Sequence, residues 1–300
     1  MSSAAFATYT RSRNMEEPDR SVALRTFFAR YVAAEGRVRD PRIEQAFAAV
    51  ERERFAGPGP WSINIPGVGY IRTPTDDPAF IYQDTLVAII PERGINIGQP
   101  SWHAHWLDAL ALCQGETVVQ IGAGTGYYTT VLAHLVGPTG CVHAYEIDQA
   151  LAARAEQNLA HLPWVTVHGR TGIADDLPKA DAIYVNAGTT QPSWGWLDAM
   201  KSRGRLLFPL HAEGMVGGML LIRKPDYGGA TWPARFISAA AFVSLVGGQS
   251  AESTQRLNAA FVHGGKESVR SFRIDDAKDD TCWFAGDGWW LSTSDSGLAP

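Results

Sequence analysis

Three cysteines in 300 residues, Cys113, Cys141 and Cys282, are too few and too far apart for a disulfide framework. With no Cys-x-x-Cys pair and no run of histidines beside them, they offer no metal site either. No apolar run reaches the roughly 18–20 residues that a membrane span requires. The first twenty residues, MSSAAFATYTRSRNMEEPDR, lack the apolar centre of a secretory signal and read as a flexible tail, 1–20, on a protein expected to be cytoplasmic, with no membrane partner. A cluster of Lys and Arg is missing too. With a net charge of −5, the chain has no visible means of neutralising several phosphates, and no nucleic-acid partner is expected. Internal repeats are absent.

What is present is an ordinary globular composition, 45% hydrophobic and 19% charged, in a chain long enough for one large core with additions. Apolar residues at helical spacing predict helices over 21–34 and 41–54, the second opened by Asp40 and Pro41 as cap and first turn. Residues 57–78, GPGPWSINIPGVGYIRTPTDDP, read as an irregular loop holding one short strand at most. A short apolar run at 85–90, a turn-like stretch at 94–100 and a helix over 102–112 follow. Then the rhythm becomes strand (117–121), helix (127–136), strand (141–147), helix (149–159), strands (165–167 and 182–186), helix (194–200) and strand (205–209). Such alternation specifies a parallel sheet covered on both faces. The stretches 216–223 and 236–246, joined through Asp-Tyr-Gly-Gly, predict a closing antiparallel hairpin. Beyond 247 the chain is rich in tryptophan (Trp283, Trp289, Trp290) but shows no period, and reads as a packed satellite or an oligomer contact.

One segment carries chemistry. In VVQIGAGTGYY, at 118–128, Gly122, Gly124 and Gly126 stand directly after an apolar strand and before a helix, where missing β-carbons let the backbone turn tightly and approach a ligand. The helix start then presents free N–H groups. Some twenty residues on, Glu146 ends the next strand, placed to accept hydrogen bonds from two ribose hydroxyls. A dinucleotide fingerprint would need glycine where Tyr127 stands, and no Gly-Lys-Ser/Thr marks a Walker loop. The Gly-x-Gly-x-Gly form fits a sulfonium nucleoside bearing methionine, without a pyrophosphate. Gly122, Ala123, Gly124, Thr125, Gly126, Tyr127, Glu146, Ile147 and Asn186 are the candidate contacts. Tyr127 and Tyr128 either flank the methionine end or pack on the sheet.

Around this loop further segments fall into order, and the chain resembles the protein-L-isoaspartate O-methyltransferase family. RVRDPRIEQAFAAVERERF at 37–55 looks like that family's opening helices, Tyr82-Gln83-Asp84 like its strand lead-in, and INIGQPSWHAHWLDAL at 95–110 like its substrate loop and next helix. DAIYVNAGTTQPSWGWLDAMKSRGRLLFPL at 181–210 is similar to its fourth strand, Pro-containing loop and fifth strand. The resemblance implies an α/β fold with a doubly wound, mostly parallel, seven-stranded methyltransferase sheet. Its organisation would be N-terminal helices and substrate loop (21–112), an S-adenosylmethionine-binding core (113–246) and a C-terminal extension (247–300). It implies S-adenosyl-L-methionine as cofactor and a carboxylate of a peptide or protein as acceptor, held by Gly98, Gln99 and Ser101. Two positions depart from the family. Its loop serine falls on Gly98, and the Asp that receives the adenine amino group falls on His168.

Methyl transfer from a sulfonium asks mainly for positioning, and a carboxylate acceptor is already ionised at neutral pH, so no catalytic triad is needed. Ser101 serves equally as a helix cap, and His103, among tryptophans, reads as a packed residue behind the site. Alternatives of the same fold are a changed acceptor (a small carboxylic acid, a phenol or a specialised peptide) and a cofactor-binding protein without repair activity. A homo-oligomer built through the C-terminal extension is a further expectation.

Overall fold

Successive side chains of a strand point to opposite faces, and the central strands supply apolar residues at both parities. In the computed structural model, which describes residues 20–226, 228–295 and 297, this produces one large sheet buried on both sides. Ahead of it come helices α1 (Arg20–Glu35), α2 (Pro41–Ala49) and α3 (Arg52–Ala56), strands β1 (Ser62–Ile65), β2 (Gly69–Arg72), β3 (Val87–Ile90) and β4 (Ile95–Ile97), and helix α4 (Pro100–Leu110). The core continues as β5 (Thr117–Ile121), α5 (Tyr127–Val136), β6 (Cys141–Tyr145), α6 (Gln149–Leu159), β7 (Val165–His168) and β8 (Ala180–Val185). After it follow α7 (Trp194–Ala199), β9 (Met200–Leu210), β10 (Gly217–Arg223), β11 (Thr231–Ala240), α8 (Ala251–His263), β12 (Ser271–Arg273), β13 (Cys282–Gly286) and β14 (Trp289–Ser292).

The large sheet runs β13-β14-β12-β11-β10-β9-β8-β5-β6-β7. Strands β7, β6, β5, β8 and β9 are mutually parallel, whereas β10 to β14 join antiparallel. Val118, Tyr184, Leu207 and Leu221 pack on one face with α1, α2, α4, α5 and α6. Their neighbours Val119, Ile183, Leu206 and Leu220 pack on the other with α7 and α8.

The sheet therefore differs from the mostly parallel, seven-stranded one expected: it is mixed and has ten strands. Strand β12 pairs with the first residues of β11, Thr231 to Pro233, and carries the same sheet onward. Phe272, Trp289 and Leu291 sit in the same core as β9 and β10, and Trp289 and Trp290, only 3% and 2% exposed, are packed inside the chain, whereas Trp283 is partly exposed. The helix expected over 41–54 is two, because Val50 and Glu51 are extended. That break lets the buried Arg52 donate to the carbonyls of Ile81, Gln83 and Thr85. Residues 57–78 hold a hairpin, β1 with β2, instead of one strand at most. The tail expected over 1–20 lies outside the described residues apart from Arg20, which opens α1.

Helix α4 is tied to the sheet at its C-terminal end. Arg205 on β9 donates to the Leu110 and Ala111 carbonyls and forms a two-pronged ion pair with Glu116, at 2.7 and 2.8 Å, a geometry suited to a planar guanidinium. Among the described residues no helix is long and apolar enough to cross a membrane, and the three cysteines are free thiols.

Candidate active site

The carboxyl ends of the parallel strands open into one cavity of about 710 Å³, where ligands of open α/β sheets bind. One wall is the glycine loop between β5 and α5. Gly122, Gly124 and Gly126 all take positive φ, at 79°, 57° and 94°, which disfavours any β-carbon. Their surroundings differ. A β-carbon at Gly126 would meet Leu159 Cδ1 at 2.9 Å, one at Gly122 would meet the Asn186 carbonyl at 3.2 Å, and one at Gly124 would meet nothing within 4 Å. Gly126 thus lets α6 pack against the loop and does not line the cavity, whereas Gly122, Ala123, Gly124, Thr125 and Tyr127 do.

Glu146, at the end of β6, faces this loop. One carboxylate oxygen accepts from Gly124 N–H at 2.7 Å and the other from Asp148 N–H at 3.0 Å. Burial raises its pKa above the ordinary carboxylate value, and the two backbone donors pull the other way. Ile147 lies beside it on the wall, half exposed. Across the cavity, the Thr129 hydroxyl donates to Gln120 Oε1 at 2.7 Å, and Gln120 Nε2 donates to Asn186 Oδ1 at 2.9 Å. This relay fixes the Asn186 amide and leaves its Nδ2 buried without a partner, as is the Tyr127 hydroxyl.

His168 and Ser101 do not reach the cavity. The His168 ring stacks on Tyr145 at 4.4 Å and its Nε2 lies 3.1 Å from His143 Nδ1, so the wall past β7 is made instead by Thr171 and Gly172. Ser101 donates to Asp84 Oδ2 at 2.6 Å, while Asp84 Oδ1 accepts the Ser101 N–H at 2.7 Å. The carboxylate of Asp84 therefore caps α4 and consumes the hydroxyl. Gln99 also donates to Asp84, at 2.8 Å, but lines the cavity together with Gly98.

Sequence reasoning missed the far wall. The strand expected over 236–246 ends at Ala240; 241–246 then cross to the loop after β8, where Gly188 N–H donates to Val243 O and Leu245 N–H to Gly188 O, both at 2.8 Å. Its apolar composition suits a strand and a cavity wall alike, so composition gave no warning. His103 also lines the cavity, and a histidine amid tryptophans gives no sign of which of its ring edges is free.

A glycine loop at the switch point of a parallel sheet, an acidic residue on the next strand and no pyrophosphate fingerprint define a nucleoside-binding α/β enzyme of the methyltransferase class. The family described as Protein-L-isoaspartate(D-aspartate) O-methyltransferase (PCMT) matches residues 28–250. The chain is similar to Protein-L-isoaspartate O-methyltransferase 2 of Anaeromyxobacter sp. (strain Fw109-5), 32% identical over 204 residues that cover 66% of this chain and 73% of the relative. It is also similar to the Protein-L-isoaspartate O-methyltransferase of Roseiflexus sp. (strain RS-1), 31% identical over 221 residues, 71% of this chain and 88% of the relative. Among solved structures, a protein-L-isoaspartate O-methyltransferase superposes with a TM-score of 0.61 at 20% identity, over 79% of this chain and 69% of the other. A beta-aspartate methyltransferase (PCMT) from Plasmodium falciparum in complex with S-adenosyl-L-homocysteine gives 0.56 at 19%, over 74% and 97%; both likenesses are of fold. This chain belongs to the protein-L-isoaspartate O-methyltransferase family.

Proposed function

We propose that the protein transfers a methyl group from S-adenosylmethionine to a carboxylate of a peptide or protein, with the isoaspartyl residue named by its family as the acceptor. The observation that carries this reading is the single cavity that joins the Glu146–Gly124 loop to the Gly98 loop. The residues present fit the cofactor. Glu146, held open by two backbone donors, would accept the ribose hydroxyls, and the open side of Gly124 leaves room for the nucleoside. Thr171, Gly172 and Ile147 would flank the base. When bound, S-adenosylmethionine supplies a sulfonium-activated methyl whose C–S bond breaks, its electron pair returning to sulfur, as an acceptor oxygen forms the new C–O bond. The chain's own work is to hold a carboxylate, exclude water and orient it; no general base is required, since the acceptor is ionised at neutral pH.

A peptide acceptor is supported by the rim. Trp102, Ile147, Val216, Val243 and Val246 are exposed large apolar side chains and all border the cavity, a concentration expected of a recognition surface. The same rim supports a second reading within this chemistry, a peptide chosen for apolar residues beside the acceptor.

Incubation with an isoaspartyl peptide and methyl-labelled cofactor tests the proposal: label is expected in a methyl ester that alkali releases as methanol. Label stable to alkali, or none above a no-enzyme control, overturns it.

A further inference from the structure

The side chain absent at Gly98 has a substitute. A β-carbon at that position would overlap His103 Nε2 and lie 2.8 Å from its Cδ2, so an imidazole from the first turns of α4 fills the space a residue-98 side chain would use. Three neighbours fix the ring. It stacks on Tyr128 at a centroid distance of 3.5 Å and an angle of 6°, Trp106 meets it edge-on at 5.0 Å, and Tyr184 Oη lies 2.7 Å from Nδ1. Tyr128 in turn donates its hydroxyl to the Gly98 carbonyl at 2.7 Å, which ties the loop to the same stack.

Tyr184 is fully buried, which raises its pKa and keeps the phenol protonated; with that O–H as the donor to Nδ1, the ring's own proton belongs on Nε2. Burial, with the charge of Arg52, holds His103 well below the usual histidine range, so the ring is neutral and its one proton sits on Nε2. Among the described residues Nε2 has no hydrogen-bond partner, yet it is not among the atoms sealed from the cavity, as Asn186 Nδ2 and Tyr127 Oη are.

We propose that His103 is the acceptor-binding residue of this enzyme, its Nε2–H donating to the carboxylate oxygen that does not attack and so replacing the hydroxyl that Gly98 lacks. The inference rests on the carboxyl-acceptor reading above. No proton leaves the ring: one carboxylate oxygen forms the bond to the methyl carbon while the C–S bond breaks towards sulfur, and the hydrogen bond only orients the anion. A neutral donor holds a carboxylate without an ion pair that would quench its nucleophilicity.

The test compares variants that bind S-adenosylhomocysteine with the wild-type Kd, using an isoaspartyl peptide as acceptor. His103→Val is expected to lower kcat by roughly 10²-fold, the loss typical of one oriented donor at a reacting centre. His103→Gln, which can reach the same place with an N–H, is expected to exceed His103→Asn. Gly98→Ser alone displaces the ring and is expected to be as poor as His103→Val, while Gly98→Ser combined with His103→Val regains activity over His103→Val. Retention of wild-type kcat by His103→Val, no advantage of Gln over Asn, or no rescue by the double variant overturns the proposal. A wild type inactive on the peptide overturns the isoaspartyl reading instead, and nitrogen-15 NMR then decides for His103. With S-adenosylhomocysteine bound, its Nε2–H resonance, assigned by its loss in His103→Val, is expected to move downfield on adding the isoaspartyl peptide but not the same peptide with that carboxyl as an amide. Equal response to both overturns it.

Discussion

Gly124 and Gly126 stand two residues apart, both with positive φ, but they answer to different demands. At Gly126 a β-carbon meets Leu159 at 2.9 Å, so Gly126→Ala adds a clash to backbone strain and should cost of order 1–3 kcal/mol, seen as a lower urea midpoint. Gly124→Ala meets no protein atom. It should lose about 1–2 kcal/mol at most and lose affinity for S-adenosylhomocysteine out of proportion, measured by calorimetry; equal damage to stability and affinity in both variants would contradict this division. Glu146→Gln should weaken that affinity roughly 10-fold or more through the loss of charge-assisted hydrogen bonds, at unchanged fold. Because burial raises the Glu146 pKa, and the ionised form is the better acceptor for the ribose, wild-type affinity should begin to fall at a pH above the ordinary carboxylate value, and Glu146→Gln should remove that step. The glycines and Glu146 were legible in the sequence because each sits at a fixed offset from an apolar strand. Ser101 and His103 were not: what decides their roles is Asp84, seventeen residues earlier, and Tyr184, eighty-one residues later.

Elements from β5 to α6 agree with their sequence patterns almost end to end, since short βα connections leave little room for anything else. The C-terminal elements did not declare themselves because β12, β13 and β14 span three to five residues each and β13 carries a register shift near Cys282; no window of alternation is long enough to recognise. Their place in the sheet has a consequence. Trp289→Ala should destabilise by about 3–5 kcal/mol and lower the midpoint of a single unfolding transition monitored by circular dichroism. A separate early transition with the main one unmoved would show that the C-terminal strands are an independent unit.

Over the whole molecule, five histidines, His103, His134, His143, His168 and His211, have pKa values lowered first of all by burial. The unfolded chain therefore binds protons that the folded one refuses. Stability from these groups is full above the unfolded value near 6.5 and is lost as pH falls from there through the lowered folded values. Glu146, raised, acts oppositely, its contribution disappearing as pH rises through its folded value, but it is one group against five. Thermal melts from pH 7.5 down to 5.5 should show a falling Tm; a level profile would contradict the burial described.

A cavity that joins a methyl-donor site to a carboxylate acceptor should esterify an isoaspartyl side chain, read as the rate of base-labile methyl ester formation on two peptides of one sequence, one with an isoaspartyl and one with a normal aspartyl residue, with Glu146→Gln as the background. Ester on the isoaspartyl peptide that saturates with cofactor, exceeds the normal peptide and falls away in the variant is the predicted result. Ester on neither peptide above that background would contradict it.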